Sequence, residues 1–169
     1  ISLDYKTKYG KYFIEHFLEE SGEVLTEDEK EILIERNKSH ISLFEIQNIK
    51  GDLIYVEDVL TGKKHIVWEP ELCNIVDNSE LIFGRVSKVF IYEKFVGDIS
   101  FLPDFCKNVF IDKVNFDYQL IKKNETDLEI NQYLRKYSLN VYKIYADCIY
   151  EILEFDEDEN LELSTELDD

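Results

Sequence analysis

Between Ile41 and Leu102 the chain is cut into short stretches of β-branched and aromatic residues by Gly51-Asp52, Thr61-Gly62, Asp77-Asn78 and Gly97-Asp98. No other feature constrains the fold as strongly, because turn residues at these intervals leave room only for short strands joined in sequence. The strands are expected at about 42–49, 53–59, 64–68, 81–87, 89–95 and 99–102, where apolar residues alternate or run together. A sheet of five or six such strands must curl to cover both of its faces. The segment is therefore expected to form an antiparallel β-meander curled into a small SH3-like or OB-like partial barrel. Gly84 lies inside one of these strands and suggests a bulge or a bend there.

Helical periodicity flanks this region on both sides. Tyr9, Tyr12, Phe13, Phe17 and Leu18 recur at intervals of three and four, and Ser21-Gly22 should end that helix. Thr26-Glu27-Asp28-Glu29 reads as a capping box, in which the Thr26 hydroxyl and the Glu29 carboxylate satisfy otherwise orphan amides and open a helix over roughly 27–38. Beyond Pro103, Asp104–Phe110 suits a short helix. A second capping box, Thr126-Asp127-Leu128-Glu129, precedes Ile130, Tyr133, Leu134 and Tyr137 on one helical face. Val141, Ile144, Tyr145, Cys148, Ile152 and Phe155 keep the same spacing, as a new helix after Asn140 or as one long helix bent near Ser138. The fold class is thus α+β: one domain over 1–155, helical over 1–40, β-meander over 41–102 and mainly helical over 103–155.

From Asp156 onward, eight acidic residues accompany only three leucines. Burying three leucines gains a few kcal/mol at most, whereas ordering each backbone costs roughly 1–2 kcal/mol. Residues 156–169 are therefore expected to be an acidic mobile tail.

The formal charge of −18, from 37 acidic against 19 basic residues, argues against direct binding to nucleic acid, whose phosphates are neutralised by Lys and Arg. It equally disfavours anionic membrane surfaces. No apolar run approaches the ~18 residues of a transmembrane helix. Cys73, Cys106 and Cys148 are odd in number and far apart, which suits free thiols in a reducing compartment and implies a cytoplasmic setting.

Few residues suggest chemistry. His16, His40 and His65 have no metal-ligand spacing to one another or to a cysteine, so no structural metal is expected. Ser39-His40-Ile41-Ser42 sets hydroxyls beside an imidazole, and Asp58 could complete a triad, yet no G-x-S-x-G elbow exists and sequence neighbours seldom form such a site. Glu57 and Asp58 are adjacent in a strand and must face opposite ways. Asp156, Asp158 and Asn160 match the start of an EF-hand loop, but Leu161 stands where Gly is needed and Leu167 where the bidentate Glu belongs. With six glycines and no phosphate-cradling pattern, no nucleotide or other cofactor is expected. Two features remain as candidate partner-binding positions. Trp68, at a strand end, belongs to a residue type enriched at binding hot spots; Asp156, Glu157, Asp158 and Glu159 form the densest acidic run.

Leu43-Phe44-Glu45-Ile46, Gly51, Asp58-Val59-Leu60-Thr61-Gly62 and Val67, preceded by a Glu-rich helix, resemble a segment of uncharacterised bacterial proteins that often carry a C-terminal SEC-C zinc motif. The resemblance implies a bacterial or phage-like intracellular setting and the order helix, then barrel. This chain departs from those proteins at its other end, where Cys148 stands alone with no Cys-x-Cys or Cys-His cluster after it, so their zinc does not carry over.

These readings together imply a non-enzymatic protein-interaction or regulatory module, whose partner is another protein. One alternative is an acidic nucleic-acid mimic that occupies a basic surface. The other is an unrecognised enzyme, which a cleft with convergent polar groups would reveal.

Overall fold

The computed structural model of the protein describes residues 6–21 and 23–165, with side chains described as far as Glu151. Two helices lead into the barrel, α1 (Phe13–Ser21) and α2 (Glu27–Lys38). The first begins later than its apolar period suggests, because Gly10 at φ +78° turns the chain just ahead of it. The second is bounded as its capping box requires. Thr26 Oγ1 accepts from the Glu29 amide at 3.3 Å, and the Glu29 carboxylate accepts from the Thr26 amide at 2.8 Å. Glu27, Asp28 and Glu29 in its first turn and Arg36 and Lys38 in its last complement the helix dipole.

Six strands follow: β1 (Ile41–Lys50), β2 (Leu53–Asp58), β3 (Lys64–Trp68), β4 (Leu81–Val89), β5 (Tyr92–Phe95) and β6 (Ser100–Leu102). They lie close to where turn residues and alternation put them. Their order departs from a meander, however, since β4 returns beside β1 and β5 runs parallel to β3 through the single pair Val67↔Glu93. The ring β1-β2-β3-β5-β4-β1 is a closed five-stranded Greek-key barrel, the OB-like form of the two anticipated, with β6 added along β4. Closure pairs the strand edges that a meander leaves open at its two ends. That gain explains why β4 joins β1.

Strand alternation sends residues into two separate cores. Phe44, Ile46, Ile54, Val56, Val67 and Ile82 fill the barrel, and Leu72 and Val76 from the β3–β4 connection pack among them. On the outer side of β1 and β4, Ile41, Leu43, Leu81 and Phe83 are covered by the C-terminal helices. Phe83 stacks on Tyr145 with centroids 4.1 Å apart and meets Phe110 edge-on. Of the bulge or bend suggested at Gly84, no bulge is present, since β1 and β4 pair in regular register through Ser42↔Gly84; the register shift lies in β1, between Ile46 and Asn48. Gly84 serves a close approach: a Cβ there would sit 3.1 Å from Ile99 Cγ2 and 3.5 Å from Phe95 Cδ1.

After a short 3-10 turn at Asp104–Cys106, α3 runs Lys107–Lys122, well past the helix expected to end at Phe110. Then come α4 (Ile130–Lys136) and α5 (Ser138–Thr165), separated at Tyr137. The capping box of α4 uses Glu129 and Gln132 rather than Thr126 and Glu129. Burial explains the three-residue shift: Leu128 is drawn into the outer core, and its carbonyl accepts from the buried Tyr118 hydroxyl at 2.9 Å. The backbone of α5 continues helical beyond Phe155, where the tail was expected to begin, while residues 166–169 lie outside the described residues.

Candidate functional site

Asp58 closes β2 and is fully buried. Its Oδ1 accepts from Ser42 Oγ at 2.5 Å, from the Leu60 amide at 3.0 Å and from the Thr61 amide at 3.3 Å, while Oδ2 meets His40 Nε2 at 3.2 Å. Burial by itself would raise this carboxyl, but hydrogen bonds from His40, Ser42 and Thr61 outweigh it and hold the group below the usual range. The structure therefore does gather the serine, histidine and aspartate noted in the sequence. Their order is wrong for hydrolysis: a nucleophilic serine needs the imidazole beside its oxygen, and here the serine donates to the carboxylate. The trio instead braces the β2–β3 turn as an Asx turn tied to β1.

A second carboxylate holds the parallel seam. Glu93 pairs with His65 Nδ1 at 2.9 Å and accepts from the Ile66 amide at 3.2 Å, and Glu69 accepts from the Phe95 amide at 3.1 Å. Side chains thus satisfy backbone donors that the single β3–β5 pair leaves over. The third histidine, His16, sits on α1, 3.4 Å from Glu20. Among the described residues, no three His, Cys, Asp or Glu side chains converge in a way that could hold a metal ion.

Trp68 points outward with Lys64 and Ile66, on the face opposite the inward His65 and Val67. Its ring stacks on Tyr92, with centroids 5.2 Å apart, and Lys94 Nζ lies 4.3 Å from the ring centre. Beside it, Gln47, Asn48, Tyr55, Lys64 and Ile66 border a groove of about 460 Å³. The β4–β5 hairpin ends at this face, and Val89↔Tyr92 pairing leaves Phe90-Ile91 as a two-residue turn. Phe90 has φ +56°, a conformation that hairpin turns assign to Gly, Asn or Asp. Phe90 is 55% exposed, Ile91 82% and Tyr92 45%. Sequence reasoning missed this turn and placed the strand break at Lys88, because Phe-Ile carries strand propensity and no turn signal.

Of the other candidate positions, Asp156, Glu157, Asp158 and Glu159 fall on the distal part of α5, and their side chains lie outside the described residues.

No curated protein and no solved structure matches the chain. A family model does match residues 4–102, which contain α1, α2 and every strand of the barrel to the end of β6. The match shows no SEC-C motif and no named homologue. On that match, which covers more than half of its length, the chain belongs to the Family of unknown function (DUF7986).

Proposed function

We propose that the chain is a non-enzymatic protein-interaction module of the cytoplasm. Its contact surface is the outer β3–β5 face, centred on Trp68 and Tyr92 and ending in the Phe90-Ile91 tip. The observation that carries this reading is the bulky residue held in left-handed backbone at a tip that buries neither of its side chains. Such a conformation costs on the order of 1–3 kcal/mol and is found at ligand clamps and switch regions. Within the chain little burial offsets it; a partner covering Phe90 and Ile91 would. The stacked Trp68 and Tyr92 suit the dry centre of such an interface, and Lys64 and Lys94 suit its polar rim.

Charge favours this reading over nucleic-acid mimicry. Carboxylates are interleaved with lysines on helices and strands alike, as in Lys11–Glu19, Lys30–Glu27, Lys64–Glu57, Lys88–Glu31 and Lys136–Glu125, where a mimic needs an unbroken acidic stripe. The net charge still steers the encounter toward a partner with a basic rim. Free thiols at Cys73, Cys106 and Cys148 support the cytoplasmic setting, and no described helix is long and apolar enough to cross a membrane.

Affinity purification from the native host, with the intact chain and its Phe90→Gly variant side by side, tests the proposal. The variant should fold at least as well and recover its specific partner at no more than about a tenth of the wild-type yield, the loss typical of an interface hot spot. Equal recovery of every partner by both proteins would refute the assignment of this face.

A further inference from the structure

A second site lies at the barrel mouth, where the end of α2, the β2–β3 turn and α4 meet. The cleft measures about 250 Å³, and Lys38, His40, Lys63, His65 and Asn131 line it, with Phe44 and Val86 beneath them. In a chain with nearly twice as many acidic as basic residues, no carboxylate is among its lining residues. Three carboxylates outside the lining bond to its side chains: Asp58 to His40 Nε2 at 3.2 Å, Glu93 to His65 Nδ1 at 2.9 Å and Glu35 to Lys38 Nζ at 2.7 Å. Among the described residues, no protein hydrogen bond engages the second nitrogen of either imidazole ring. Asp58 and Glu93 each fix the orientation of a ring and leave its other nitrogen open to a ligand. His65 is itself more than nine-tenths buried, which makes it part of a built pocket rather than a surface group.

We propose that this cleft binds a small phosphate monoester with an apolar body. The Lys63 ammonium, the Lys38 ammonium shared with Glu35, two imidazoles and one amide reach it from the β2–β3 turn, α2, the segment before β1, β3 and α4. Donors from separate directions suit the three terminal oxygens of a phosphate, whereas a carboxylate is matched best by the planar fork of Arg, which the lining lacks. Phe44 and Val86 give the apolar part of the ligand a floor. The volume falls below that of drug-sized pockets and admits one phosphorylated ring or short chain. A divalent cation is a poor fit, since it would lie among ammonium groups with only two imidazoles to ligate it.

Histidine ring resonances of the full chain, followed by NMR at fixed pH during titration with phenyl phosphate, inorganic phosphate or zinc chloride, test the proposal. His40 and His65 should shift saturably with both phosphates while His16, on α1, stays still. Phenyl phosphate should bind several-fold more tightly than inorganic phosphate, from burial of its ring. Lys63→Glu, at an exposed position, should weaken phenyl phosphate binding at least about tenfold, the scale of a lost charged hydrogen bond. Lys50→Glu changes the net charge equally outside the cleft and should leave affinity within about twofold, because screening removes distant charges. Absence of saturable shifts, equal effects of the two lysine variants, parallel movement of His16, or stoichiometric zinc binding at His40 and His65 without phosphate binding would each overturn it.

Discussion

Ser42 donates its hydroxyl to Asp58 across 2.5 Å, joining the first strand of the barrel to the last residue of the second. The direction of this bond makes Asp58 an acceptor hub, with backbone donors on one side and an imidazole on the other. It turns what looked like the parts of a catalytic triad into a brace.

Asp58→Asn should destabilise the protein by about 2–4 kcal/mol, since an amide nitrogen facing several donors leaves buried groups unsatisfied. The pH dependence follows from the sign of the shift. The folded-state carboxyl is held below its ordinary value, so its contribution is fully present above the unfolded pKa of about 3.9 and is lost as pH falls through the lower folded value. Urea unfolding between pH 2 and pH 7 should therefore show a shallower acid limb in the variant. Identical acid limbs would contradict this account of Asp58.

Phe90→Gly should raise stability by about 0.5–1 kcal/mol, because relief of the left-handed strain exceeds the added freedom of the unfolded chain. Phe90→Ala keeps the Cβ and should gain little. Thermal unfolding of the three proteins checks the order; a loss of stability in the glycine variant would mean that the Phe90 ring packs in the folded chain.

Glu93→Ala removes the carboxylate that accepts from the Ile66 amide and from His65. With only one backbone pair left between β3 and β5, the seam should open locally. Hydrogen exchange at the Ile66 amide should quicken by about tenfold or more, with much smaller changes along β1 and β2, as expected of sub-global opening. Uniform acceleration through the barrel would instead show that the seam opens only with the whole fold.

Gly84→Val should cost about 1–3 kcal/mol, the range for overpacking a filled site. The added Cβ would press on Ile99 Cγ2 at 3.1 Å, and the branched methyls need space beside Phe95 as well. Gly84→Ala should cost less, since a small shift of the Ile99 side chain accommodates one methyl. Chemical denaturation of both variants measures the difference, and equal costs would point to backbone entropy rather than crowding.

Local chemistry made much of this fold legible from the amino-acid sequence. Thr26 and Glu29 bond within one turn, so α2 starts where the capping box stands in any tertiary setting. Gly51 and Gly62 both adopt positive φ at the ends of β2, which only local backbone sterics require. Alternation along β2 and β3 set their inward and outward faces, and it placed Trp68 on the outside of the barrel. Trp68 drew notice in the sequence by its residue type, whereas Phe90 and Ile91 did not. Their sequence has strand propensity, and the turn exists because β4 and β5 must pair on either side of it.

What the tertiary structure alone decided was which distant groups meet. The pairing of β4 with β1 rests on closing the barrel, a gain no single strand carries in its own residues. The move of the α4 cap from Thr126 to Glu129 rests on burial of Leu128 and on the Tyr118 hydroxyl ten residues earlier. The meeting of Ser42, Asp58 and His40, and of His40 with His65 at the barrel mouth, likewise awaited the closed sheet. Caps and turns are settled by hydrogen bonds and sterics a few residues long; strand order and site geometry are settled by long-range burial, whose partners are named only when the chain folds.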